Sequence, residues 1–66
     1  MNITVKIRGA TQTLTIFSGT TGKDVLAQLN FKPDGIIMVV NGKPVPYTQL
    51  LKHGDTVKIF QVASGG

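Results

Sequence analysis

The sequence predicts an α+β fold: a mixed sheet of four to five strands packed on one helix, with a flexible C-terminal tail. Three observations predict it. Apolar and polar residues alternate near both ends of the chain. A capping signal opens a short apolar stripe at helical spacing in the middle. Turn residues, glycine above all, separate the elements.

Ile3, Val5 and Ile7 alternate with Thr4, Lys6 and Arg8, the pattern of a half-buried strand. Gly9-Ala10 is turn material. Thr11 to Phe17 alternates again, with Leu14 and Ile16 inward, and the short spacing makes the two segments a hairpin. Ser18-Gly19-Thr20-Thr21-Gly22 breaks the pattern. Thr21, with Asp24 three residues on, approximates a capping box; Thr20 is the other candidate cap. Val25, Leu26 and Leu29 form one apolar stripe, and the helix must stop before Pro33, because the residue preceding proline disfavours helix.

Ile36 to Val40 is a continuous apolar run bounded by turn residues, which predicts a strand covered on both faces. Asn41-Gly42 tolerates positive φ at both residues and predicts a second hairpin, with Lys43 to Val45 pairing back. Tyr47 to Leu51 has the length of one helical turn. Lys52 to Asp55 is a turn, and Thr56 to Val62 is the last strand. Val57 and Ile59 fall on one of its faces, Phe60 and Val62 on the other. A sheet whose inner face is closed by one helix is the β-grasp arrangement. Residues 1–62 make the β-grasp domain and 63–66 the tail.

Composition excludes much. A 66-residue chain buries only about 60% of its unfolded surface and has no second lobe to form a cleft. The hydrophobic fraction is 41% and the charged fraction 15%, as in a globular domain. Cysteine is absent, which removes disulfides, thiolate metal sites and a thiol nucleophile, and suits a cytoplasmic location. The first residues alternate in polarity, unlike a signal peptide, and Ile36 to Val40 is too short to span a membrane. The net charge of +4 raises nucleic acid or an acidic protein surface as partner. Lys6, Arg8, Lys23, Lys32, Lys43, Lys52 and Lys58 form no basic run, and the aromatics do not interleave with them as in a base-stacking platform. Neither a nucleic-acid nor a membrane partner is expected. The charges read as a solvated surface plus a protein-docking face.

Catalytic sets are nearly empty. His53 is the single histidine and sits in a Lys-His-Gly-Asp turn, where it is expected to face solvent. A Ser-His-Asp set can be written only by pairing it with Ser18 or Ser64. The aspartates lie at a helix start and in turns, where capping and turn bonding explain them. Gly42-Lys43 is followed by Pro44, so it is no phosphate loop. No metal site and no bound cofactor are expected of this chain.

The sequence closes on Ala63-Ser64-Gly65-Gly66. Chain ends commonly fray, and that reading stays open. The functional reading is a reactive tail. Four extended residues reach roughly 13–14 Å, and Gly-Gly can thread a narrow passage in a partner's active site. The Gly66 carboxylate is ionised at neutral pH and is a poor acyl donor until activated, which an adenylate would do. The ATP must then come from a partner, since no nucleotide motif is present.

The β-grasp order, together with Val39-Val40-Asn41-Gly42-Lys43-Pro44-Val45-Pro46, Leu51-Lys52-His53-Gly54-Asp55-Thr56-Val57, and the Gly65-Gly66 end, resembles the ubiquitin-like sulfur carriers of the ThiS/MoaD group, the thiamine-biosynthesis ThiS proteins most of all. The resemblance spans the chain. It implies a carrier protein, not an enzyme. An E1-like adenylyltransferase of the ThiF or MoeB type would adenylate Gly66 with ATP. A sulfur donor such as a cysteine desulfurase would supply the sulfur for a thiocarboxylate, and thiazole synthase would accept it. By the same resemblance Gly65, Ser64, Ala63, Val62 and Phe60 are partner-binding; Phe60 and Val62 also read as ordinary sheet surface. Relatives of this fold serve as the molybdopterin-synthase small subunit, as tRNA-thiolation carriers and as protein modifiers joined to lysines. Tyr47 stands where relatives often have Arg.

Overall fold

The structure is a computed structural model that describes residues 1–32 and 34–62. Strands β1 (Asn2–Ile7) and β2 (Ala10–Thr15) precede helix α1 (Gly22–Gln28). Strands β3 (Ile36–Val40), β4 (Lys43–Val45) and β5 (Thr56–Gln61) follow it. All five strands form one sheet in the order β2-β1-β5-β3-β4. β1 and β5 run parallel at its centre, and every other pairing is antiparallel, so the sheet is mixed.

Both hairpins close with two residues at positive φ. The Ile7↔Ala10 register leaves Arg8 (φ 48°) and Gly9 (φ 80°) as the first turn, one residue earlier than the Gly9-Ala10 expected from the sequence. Asn41 (φ 51°) and Gly42 (φ 84°) make the second, as expected. Left-handed values at both positions match the twist of the flanking strands.

The helix is held at its start. Thr21 is the N-cap: its hydroxyl accepts from the Asp24 backbone N–H, and the Asp24 carboxylate accepts from the Thr21 N–H at 3.0 Å. The Thr20 hydroxyl turns away and accepts from the Phe17 N–H at 3.2 Å. Two further N–H groups that the helix cannot satisfy internally find carbonyls outside it. Gly22 donates to Gln49 at 3.0 Å and Lys23 to Tyr47 at 2.6 Å. Those bonds explain a correction. Tyr47 to Leu51 is not a helical turn: its carbonyls serve α1, and Leu50 bridges to Thr21 as an isolated extended pair.

One apolar layer joins helix and sheet. Ile3, Val5, Met38, Val40, Val57 and Ile59 from the inner sheet face meet Val25 and Leu26, with Ile16 and Leu51 at the rim. β3 is a second correction. The run Ile36 to Val40 is not covered on both faces: Met38 and Val40 are buried, while Ile37 is 46% exposed. A single short helix covers only one side of the sheet. No helix among the described residues is long and apolar enough to cross a membrane.

Candidate protein-docking face

The uncovered side of the sheet is defined by strand alternation. Residues paired in register point to the same face, so Thr4, Lys6, Thr56, Lys58, Phe60, Ile37, Val39 and Pro44 share it. Phe60 and Ile37 are direct cross-strand partners, 51% and 46% exposed. Val62 lies just beyond β5, 52% exposed, its N–H bonded to the Gly35 carbonyl at 2.7 Å. An apolar patch therefore forms where the last strand leaves the sheet. Lys6, Arg8, Lys58, Phe60 and Gln61 border a shallow open depression of about 610 Å³. The Arg8 guanidinium donates to the Gln61 side-chain carbonyl there.

Phe60 and Val62 are thus brought together on an exposed apolar patch. Ala63, Ser64, Gly65 and Gly66 lie outside the described residues. Nothing in the sequence marks Ile37 as a surface residue, because a run of five apolar residues hides the strand period. Lys6 and Lys58 are far apart in the sequence; only the β1–β5 register puts them side by side.

Two sequence motifs have a structural explanation. The Asn41 side chain donates to Asp55 Oδ1 at 2.9 Å and accepts from the Thr56 N–H at 2.9 Å. Asp55 Oδ2 accepts from the Lys52 N–H at 2.8 Å. The Asn-Gly hairpin and the Gly-Asp turn are therefore one clamp that holds the start of β5 against the end of β3. Replacing Asn41 by alanine should cost about 1–2 kcal/mol in chemical denaturation, from lost side-chain bonds and a non-glycine residue at positive φ. Asn41→Gly should recover part of this loss, because it restores only the backbone freedom.

The remaining polar candidates have local duties. His53 is exposed, as expected, and its Nδ1 accepts from the Asn2 N–H at 3.0 Å. Asp24 caps α1 and Asp55 braces its turn, in line with the sequence. Among the described residues no group of three or more His, Asp or Glu side chains is placed to hold a metal ion.

A mixed five-stranded sheet clasping one helix is the ubiquitin-like β-grasp fold. SAMP1 from Haloferax volcanii superposes with a TM-score of 0.79 at 18% identity, over 100% of both chains. A protein from Pyrococcus furiosus assigned as molybdopterin converting factor subunit 1 gives 0.76 at 19% identity, covering 94% of this chain and 98% of that one. A ubiquitin-like protein from Caldiarchaeum subterraneum gives 0.66 at 18% identity, over 98% and 100%. No curated protein sequence matches the chain. The chain belongs to the ThiS family, whose model matches residues 2–66.

Proposed function

We propose that this protein is a sulfur carrier whose Gly66 carboxylate is the working group. The observation that carries the reading is the family match, which runs through Gly65-Gly66. The exposed Phe60–Ile37 patch supports it, since it includes β5, the strand that precedes Gly65-Gly66 in the sequence.

In the proposed cycle an E1-like adenylyltransferase binds ATP and the carrier. A Gly66 carboxylate oxygen attacks the α-phosphorus, pyrophosphate leaves, and an acyl-adenylate forms. Hydrosulfide attacks the acyl carbon directly; AMP leaves, the proton is lost to solvent, and a thiocarboxylate remains. Where the donor is a cysteine desulfurase, its persulfide attacks instead and AMP leaves. A partner thiol then cleaves the resulting acyl disulfide, leaving the thiocarboxylate and a disulfide between donor and thiol. The carrier then gives its sulfur to an acceptor enzyme. Thiazole synthase, for the thiazole of thiamine, is the acceptor we favour, since ThiS is the family matched. The chain contributes docking, reach and the acyl group. ATP and the catalytic groups belong to the partners.

Intact mass spectrometry tests this. Incubation with ATP, a sulfur donor and the adenylyltransferase of the same organism should replace one oxygen by sulfur at Gly66. An unchanged mass would overturn the carrier reading. Isopeptide-linked Gly-Gly remnants on lysines of other proteins would instead indicate a protein modifier.

A further inference from the structure

Three cations gather on the open face in an arrangement that the fold does not need. Lys6 and Lys58 are direct partners in the parallel β1–β5 register, and Arg8 borders the same depression. Like charges opposite each other on neighbouring strands disfavour the folded state. Among the described residues no acid on that face relieves them. Asp24 is held by Thr21 at the helix start, Asp55 by Asn41 and Lys52, and Asp34 stands in the turn before β3. Arg8 itself donates to the neutral Gln61 side chain. Next to the cations stands the Phe60–Ile37 pair.

We infer that the surface seated on this face is acidic: a partner protein that sets carboxylates against Lys6, Arg8 and Lys58 around an apolar contact for Phe60 and Ile37. The inference deepens the carrier reading and rests on it, because adenylation supplies the partner. Complementary charge steers encounter and fixes orientation, and the apolar pair supplies the desolvated centre. Nucleic acid fits less well. The face offers one aromatic ring, and threonines occupy the next row, where stacking platforms present successive aromatics. The seat also has a directional consequence. Lys58 and Phe60 lie on β5, flanked by Lys6 on β1 and Ile37 on β3, so a partner held there is aligned with the strand that precedes residues 63–66 in the chain.

The test is ATP–pyrophosphate exchange with the adenylyltransferase of the same organism, at a series of salt concentrations. The double variant Lys6→Glu/Lys58→Glu should lower kcat/KM about tenfold or more and flatten its salt dependence. Lys23→Glu/Lys32→Glu makes the same change in net charge away from this face and should stay within about twofold. The single variant Lys58→Glu, which turns a like pair into an opposite one, should melt no lower than the wild type while losing exchange. Equal losses in both double variants would mean that net charge alone matters and would overturn the inference. So would full exchange by the Lys6/Lys58 variant, or a labelled oligothymidine bound by the wild type and released by that variant. A wild-type chain that supports no exchange would overturn the carrier reading itself, and with it this inference.

Discussion

Replacing Gly22 by alanine should cost the fold about 2–3 kcal/mol, although alanine is the better helix former. The reason is the space at the helix start. A Cβ on Gly22 would stand 2.9 Å from Met38 Cε and 3.0 Å from the Tyr47 carbonyl oxygen, with Met38 Sδ closer still. Met38 is 2% exposed and packed in the core, so its side chain has little room to turn. The Tyr47 carbonyl is fixed by its bond from the Lys23 N–H. Relief must come from repacking Met38 or from moving α1 off the loop that caps it. In a domain this small a core supplies about 3–5 kcal/mol, so the variant should be partly unfolded near body temperature. Urea titration of Gly22→Ala in wild-type and Met38→Val backgrounds separates the two contacts. Valine lacks the atoms that collide, so the loss should shrink in that background. An equal loss in both would place the conflict at the Tyr47 carbonyl alone. No loss in either would show that the helix start relaxes freely.

The same contact shows where the sequence stops being legible. Strict alternation in β1, the Thr21–Asp24 capping box and Asn41-Gly42 are local signals, and each is found where the residues imply. What failed was set by distant partners. Gly22 reads as a loop glycine until Met38 is known to cross above it. Tyr47 to Leu51 has helical length, but its carbonyls are claimed by a helix more than twenty residues earlier in the chain. Ile36 to Val40 reads as doubly covered because apolarity alone cannot count how many helices exist to cover a sheet. The candidate site divides likewise. Period two alone puts Phe60 and Val62 on one face. Their neighbours Ile37, Lys6 and Lys58 joined them only through strand pairing.

Under the carrier reading, Phe60→Ala and deletion of Gly66 should fail in different kinetic constants. Phe60 is 51% exposed, so its truncation should change folding stability by less than about 1 kcal/mol. If its ring is the anchor in a partner's pocket, KM for adenylation should rise about tenfold while kcat stays near the wild-type value. Deleting Gly66 leaves that face intact but withdraws the carboxylate by about 3.3–3.6 Å, the span of one extended residue. Displacements of about 1 Å at a reacting centre can cost about 100-fold, so kcat should fall at least that far with KM little changed. A Phe60→Ala defect confined to kcat would mean that the ring does not dock. A Gly66 deletion that raised KM alone would mean that the terminal residue binds without reacting. Docking and chemistry then meet in the double variant. Sites that act separately should add in free energy, so its kcat/KM should fall by the product of the two single losses. A smaller combined loss would show that the tail reaches the adenylating site only when Phe60 is seated.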